Sequence, residues 1–217
     1  MIVKRVGETA STNDLAAREP VGTVVVADLQ TAGQGRFGRR WHSPRGGLYL
    51  SAHVEPRHPA WLTAMSALAA GDAVRAVAER EPRIRFPNDL MIHDRKLCGI
   101  LIQARAPTAV IGIGLNVNIE SFPPEIEATS LRIETGRTFD LDSVAREVIA
   151  GLDRWLAADP HDVRAEYVRR DGVAGRRVVI NDQIEGTVKA VDPIEGIVFD
   201  DGTRIAGAHV RHLVVRA

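Results

Sequence analysis

Residues 33–41 read Gly33-Gln34-Gly35-Arg36-Phe37-Gly38-Arg39-Arg40-Trp41, a G-x-G-x-x-G pattern preceded by the β-branched stretch 23–28 (TVVVAD). That pattern opens a dinucleotide-binding βαβ unit only when a helix begins inside it and points its N-terminus at a pyrophosphate. Here Arg39-Arg40-Trp41-His42-Ser43-Pro44 follows, and then a strand pattern over 48–54. Glu55 sits near the spacing of a ribose-binding acid, but no helix fills the gap. A Walker A loop is excluded as well, because no Gly-Lys-Ser/Thr occurs. The stretch therefore reads as a long loop between two strands. Glycine N–H groups in such a loop can wrap an anion as a nest. Arg36 and Arg39 can add bidentate bonds to phosphate or carboxylate. Trp41 can cover an aromatic ring or close the loop over a ligand. By composition alone, a solvated surface loop with scattered arginines reads equally well.

Working outward, 2–6 is a short strand, and Ser11 or Thr12 caps a short helix running to Arg18 before Pro20. Residues 23–28 suit a strand buried on both faces. Residues 48–54 alternate, as a strand with one buried face does. An alanine-rich helix spans 60–80, with Leu62, Met65, Leu68 and Ala69 on one face. Strands follow at 84–86, 90–92, 97–104 and 110–118, the middle two joined as a hairpin by residues 93–96. Gly112 and Gly114 lie inside the last, where glycine lets something approach the backbone. Helices at 141–157 and 161–170 complete this part. After Gly172 short strands at 177–180, 184–191, 196–199, 203–205 and 210–215 are separated by Asn-Asp, Asp-Pro and Asp-Gly turns, the pattern of a small β-barrel. A boundary falls near 172.

The 217 residues suffice for a medium domain and a small one. Hydrophobic content of 45% and charged content of 26% are those of a soluble globular chain. Basic and acidic residues balance at 28 each, so anion binding must come from a local cluster, not a global field. Cys98 is the sole cysteine, which rules out an intrachain disulfide and fits a reducing cytoplasm. No apolar run reaches the roughly 18 to 20 residues of a membrane span, and residues 1–14 lack a signal-peptide core. The expectation is a soluble cytoplasmic protein.

Other stretches carry chemistry. Asn88-Asp89 after Pro87 is either a turn or an amide–carboxylate pair able to hold Mg²⁺. Lys96, opening an apolar strand, is either a snorkelling edge residue or a fixed positive charge for a reacting anion. Cys98 reads as a small core residue. Ser11-Thr12-Asn13 is either a cap cluster or a set of donors and acceptors for a small polar ligand. Asn116 and Asn118 end their strand in a turn or point into the same cleft. No H-E-x-x-H or G-x-S-x-G occurs, which argues against a zinc site and a serine hydrolase.

In series, Ser11-Thr12-Asn13, Gln30-Thr31-Ala32, Gly33 to Trp41, Ser43-Pro44, Gly47-Leu48-Tyr49, Arg85-Phe86-Pro87-Asn88-Asp89, Asp94-Arg95-Lys96, Gly99-Ile100, Gly112 to Asn118 and Ala128-Thr129-Ser130-Leu131 resemble the biotin protein ligases over nearly the whole chain. The resemblance implies an α+β fold: a central mixed β-sheet with flanking helices, class II synthetase-like, over 1–172, and a C-terminal SH3-like β-barrel over 173–217. It implies ATP and biotin as substrates, Mg²⁺, a biotinyl-5′-AMP intermediate, and transfer to a lysine of a biotin carboxyl carrier domain of acyl-CoA carboxylases. Lacking the helix-turn-helix of longer members, the chain is expected to bind neither nucleic acid nor membrane; a homodimer through a sheet edge is compatible. Gln34 replaces a family arginine, and Arg85-Phe86 replaces Lys-Trp.

Carried onto this chain, the resemblance makes Lys96, Arg36 and Asp89 the catalytic candidates, with Lys96 between carboxylate and α-phosphate and Asp89 as proton acceptor. Ser11, Thr12, Asn13, Gln30, Gln34, Gly35, Arg36, Lys96, Gly99, Gly112 and Gly114 would bind biotin. Arg36, Arg39, Arg40, Trp41, Asn88, Asp89, Lys96, Asn116 and Asn118 would bind ATP. Asn88, Asp89 and Asn116 would hold the metal. A lipoate–protein ligase is the runner-up enzyme, and a non-catalytic biotin sensor the alternative of another class.

Overall fold

The computed structural model describes residues 1–216; residue 217, the last of the expected second domain, lies outside them. Seven strands form one sheet in the order β1-β2-β3-β7-β6-β5-β4: β1 (Ile2–Thr9), β2 (Thr23–Gln30), β3 (Leu48–Val54), β4 (Arg83–Arg85), β5 (Asp89–Ile92), β6 (Arg95–Arg105) and β7 (Thr108–Leu115). Only β1 and β2 run parallel, joined by a crossover containing α1 (Thr12–Ala16); the remaining neighbours are antiparallel.

The β-branched run in β2 is buried on both faces, as its composition demands. Val24 and Val26 join the main core, whereas Val25 packs with Ala16 of α1 and Val110 of β7. β3 departs from the expected half-exposed strand, because every one of its residues is buried. Leu48, Leu50 and Ala52 face the main core. The alternate positions are polar but not wet. Tyr49 Oη donates to Pro44 O (2.6 Å), Ser51 contacts Thr12 and Asn13, and His53 bonds Glu19 O (2.8 Å) and Thr108 Oγ1 (3.0 Å). Alternation thus separates two kinds of interior, since buried polar groups are tolerated once hydrogen-bonded.

α2 (Leu62–Ala78) lies against β6 and β7 and is buried on most of its circumference, which its alanines permit. Glu79, in the left-handed region (φ 55°), ends it before the expected residue 80. A short helix absent from the sequence reading, α3 (Leu131–Thr135), is capped by Ser130 and stopped by Gly136. α4 (Leu141–Leu156) and α5 (Pro160–Arg169) pack on α2. Arg170 ties the three together, donating to Asp72 and Glu166, while Trp155 Nε1 donates to Asp72 (2.7 Å). Among the described residues no helix is long and apolar enough to cross a membrane.

A second, antiparallel sheet has the order β11-β10-β9-β8-β12: β8 (Arg177–Ile180), β9 (Ile184–Asp192), β10 (Gly196–Phe199), β11 (Arg204–Ile205) and β12 (Leu213–Val215). Its Val178, Val188, Ile197 and Phe199 continue the main core without a break. Arg176 binds Asp94 through both guanidinium nitrogens (2.5 and 2.8 Å), fixing this sheet to the β5–β6 turn.

Candidate active site

Residues 33–41 form a closed hairpin. Gly35 N–H donates to Arg39 O (2.7 Å), Trp41 N–H donates to Gly33 O (2.9 Å), and Gln34 pairs with Arg40. The expected nest is therefore not present at Gly35, whose N–H is spent inside the hairpin. The tip turns through Phe37 (φ 58°) and Gly38 (φ 73°). Gln34 straps this flap to the body: Nε2 donates to Asp14 Oδ2 (3.0 Å) and Oε1 accepts from Gln103 Nε2 (3.0 Å).

Under the flap is a small, partly open cavity. It is lined by Ser11, Thr12, Asn13, Gln30, Gln34, Gly35, Arg36, Trp41, Asn88, Lys96, Gly99, Gly112 and Gly114, with the apolar Ile100, Leu101 and Ile113. Residues from positions 11 to 114 thus converge on one space. One end is polar and pre-organised. Gln30 Oε1 accepts from Thr12 N–H (2.8 Å) and Thr12 Oγ1 (3.0 Å), and Gln30 Nε2 donates to Ser43 Oγ (3.0 Å). Ser51 Oγ sits 2.7 Å from Thr12 Oγ1 and 2.6 Å from Asn13 Oδ1. Asn13 Nδ2 and Trp41 Nε1 are buried without a protein partner. Such donors are costly in an empty site and are what a polar ligand would satisfy. Ser43 and Ser51 were not among the sequence candidates; the signal for Ser51 was a polar residue inside an apolar strand.

The strand glycines have a local cause. A Cβ on Gly112 would stand 2.2 Å from Asn13 Oδ1 in the ideal geometry, and one on Gly114 would stand 2.4 Å from Trp41 Nε1. The groups that approach the backbone at these two positions are Asn13 and Trp41, which form the cavity wall.

Lys96 Nζ lies 5.1 Å from the Trp41 ring centroid and 2.5 Å from Asp89 Oδ1, while Arg85 donates to Asp89 Oδ2 (3.0 Å). Asp89 is therefore held between two cations. Cys98 is fully buried beside them; burial, only partly offset by Lys96, pushes its thiol up, so it is an inert core residue. Arg36 donates to Asn88 Oδ1 (3.0 Å) and Gly207 O (3.3 Å), and its guanidinium stacks 4.8 Å from Phe37. Burial lowers its pKa from the ordinary guanidinium value; Asp89 opposes this and Arg39 adds to it.

A second, wider cavity of about 560 Å³ adjoins the first. It is lined by Arg40, Trp41, His42, Lys96 and Asn116 together with residues 122, 123 and 125–128 of the following loop. Phe122 and His42 stand edge to face at 6.5 Å. These ring residues were missed, because only folding brings positions 42 and 122 together. Trp41 and Lys96 line both cavities.

The structure corrects some expectations. Asn118 lines neither cavity; its side chain donates to Phe139 O (2.8 Å) and accepts from Phe139 N–H (2.9 Å), so it is a structural clip. Arg39 lines neither cavity; it borders a third, open space that runs along residues 31–40 beside Leu101 and Gln103. The expected cation set does not fit: Asn88 Oδ1 takes Arg36, both Asp89 oxygens face Lys96 and Arg85, and Asn116 Nδ2 donates to Lys96 O (3.3 Å) and Thr129 O (3.0 Å). Among the described residues no group of three or more His, Cys, Asp or Glu could hold a metal ion.

The mixed sheet that carries these two cavities has counterparts in known proteins. The biotin/lipoate A/B protein ligase family model matches residues 4–118, just over half the chain, and the chain belongs to that family. The biotin--[acetyl-CoA-carboxylase] ligase of Mycobacterium tuberculosis is 32% identical over 96% of this chain and 88% of its own. The bifunctional ligase/repressor BirA of Bacillus spizizenii is 39% identical over 62% of this chain and 46% of its own, so the match spans about half of that relative's length. Among solved structures, the biotin protein ligase of Aquifex aeolicus in complex with biotin and ATP has a TM-score of 0.87 at 26% identity, covering 99% of this chain and 98% of that one. The fold is that of the biotin protein ligases.

Proposed function

We propose that this chain is a biotin protein ligase: it joins biotin to AMP and transfers the biotinyl group to a lysine of a carboxyl carrier domain. The observation that carries the reading is that two cavities meet across Trp41 and Lys96. A carboxylate reaching up from the first and an α-phosphate reaching in from the second would come together at one ammonium group. The Aquifex neighbour is a complex with biotin and ATP, which supports the two-substrate reading.

In the first step a biotin carboxylate oxygen attacks the α-phosphorus, the bond to the β-phosphate bridge oxygen breaks, and pyrophosphate leaves. Two anions must approach, so fixed positive charge is the main requirement. Lys96 supplies it, aimed by Asp89, and Arg36 closes over the product. In the second step a neutral lysine amine attacks the acyl carbon, the carbon–oxygen bond to AMP breaks, and the amine proton passes to Asp89 or water. Ser11, Asn13 and Thr12 hold the ureido ring, with Gln30 fixing Thr12, and the alkyl chain lies on Leu101 and the glycine backbone at 112 and 114. Arg40, Trp41, Asn116 and the 122–128 loop take the nucleotide. Mg²⁺ would come bound to ATP and supply charge neutralisation, since among the described residues no group of three or more His, Cys, Asp or Glu could hold it.

The same reading includes a catalytic unit over 1–172, a barrel over 173–217, and a reducing cytoplasmic setting suited to one buried thiol. Self-association would use a free sheet edge; β1 has a single neighbour, and Ile2 and Val3 on it are exposed. The polar cavity end favours biotin over lipoate, whose dithiolane has no use for the donor at Asn13. Pyrophosphate release from ATP tests this: biotin should drive it and lipoate should not. Release driven by lipoate, or by neither acid, would refute the assignment.

A further inference from the structure

Glu134 sits in α3, lines neither cavity, and carries a side chain only 5% exposed. A carboxylate so buried needs several donors. It has three, from two segments: the β5–β6 turn and residue 129. Thr129 Oγ1 donates to Oε1 (2.5 Å), Arg95 Nη2 donates to the same oxygen (2.8 Å), and His93 Nδ1 lies 3.2 Å from Oε2. Thr129 ends the loop that walls the nucleotide cavity, and Arg95 immediately precedes Lys96.

The two segments meet again at Lys96. Lys96 N–H donates to Glu127 O (3.2 Å) and Thr129 N–H donates to Lys96 O (2.9 Å), a short parallel bridge centred on Ala128. Asn116 Nδ2 bonds both Lys96 O and Thr129 O. Glu127, Ala128 and Lys96 all line the second cavity. The carboxylate of Glu134 thus reaches the Lys96 backbone by two routes, through Arg95 along the strand and through Thr129 across the bridge.

We infer that Glu134 is a positioning residue for the nucleotide half of the site: it holds the 126–129 segment and the Lys96 backbone in register, so that cavity wall and ammonium group stay fixed together. The inference rests on the two-substrate reading above. Deleting the carboxylate strands the buried Thr129 hydroxyl and frees Arg95, while the polar end at 11–13 and Gln30, which shares no bond with Glu134, keeps its geometry.

The test uses the full chain and the variants Glu134→Ala and Glu134→Gln. Three quantities are compared: amide hydrogen exchange, the KM for ATP, and the Kd for biotin without nucleotide. Glu134→Ala should speed exchange at 126–129 and 95–97 and raise the KM for ATP at least tenfold. Biotin affinity and exchange at 11–13 should stay within twofold. Glu134→Gln, keeping one acceptor oxygen for Thr129, should recover most of the loss. Unchanged exchange at 126–129, an unchanged KM for ATP, or a parallel loss of biotin affinity marking general loosening would each overturn the inference. If the unaltered chain releases no pyrophosphate with biotin, the reaction assignment fails in the wild type, and the exchange comparison still decides whether Glu134 holds the segment.

Discussion

Gly114→Ala perturbs the junction of the two cavities, since the three heavy atoms nearest the new methyl group all belong to Trp41. An ideal Cβ there stands 2.4 Å from Trp41 Nε1 and 2.5 Å from Cε2, about 1 Å inside ordinary contact. β7 lies between β3 and β6 with full ladders on both sides, so the backbone holds and the indole must move. Overpacking of this kind costs about 1–3 kcal/mol, and each ~1.4 kcal/mol is tenfold in rate. Because Trp41 lines both cavities, biotin-dependent pyrophosphate release should fall about 5- to 150-fold in kcat/KM, with KM raised for both substrates. Placing the change in a Trp41→Phe background should shrink its effect, because the smaller ring yields the space. Unchanged constants for biotin and ATP, or an identical loss in both backgrounds, would refute the assignment of Trp41 as the shared wall.

Lys96→Ala should lower adenylate formation about 100- to 1000-fold, as loss of a group facing developing charge does, while transfer from pre-made biotinyl-AMP falls much less; equal losses in both steps would contradict the role. Arg36→Gly removes the bonds to Asn88 and Gly207 and should release the adenylate about 10- to 100-fold faster, seen as biotin on the lysines of a bystander protein. Asn118→Ala, losing its two bonds to Phe139, should cost about 1–3 kcal/mol in denaturant unfolding with KM values kept within about twofold. Glu166 is held down to about 2 from its ordinary 4.5, chiefly by hydrogen bonds from Arg169, with Arg170 adding and burial opposing. A depressed carboxylate stabilises above its unfolded pKa and loses that contribution as pH falls. The Tm difference between the wild type and Glu166→Gln should therefore be full above pH 4.5 and shrink toward pH 2.

Much of this arrangement is legible in the residues. TVVVAD reads as a strand buried twice over, and the glycine–arginine stretch, lacking a following helix, reads as a loop, which the structure closes into a hairpin. The strand glycines announced a close approach. What approaches, an amide and an indole from elsewhere in the chain, depends on tertiary contacts. The polar side of β3 shows the same limit: Tyr49, Ser51 and His53 alternate as a wet face would, and only the arrival of α1 turns that face into an interior. Asn118 and Glu134 are polar residues beside motif positions. The first is spent on Phe139 and the second organises Lys96, a distinction set by contacts made across turns and not by spacing.

Intact-mass measurement of a biotin carboxyl carrier domain, incubated with this chain, ATP, Mg²⁺ and biotin, tests the joining of two substrates at Lys96 most directly. The account predicts one added biotinyl group on one lysine of the carrier, lost when biotin or ATP is omitted and strongly reduced with Lys96→Ala. A carrier of unchanged mass, or one modified as fully by the Lys96→Ala variant, would contradict it.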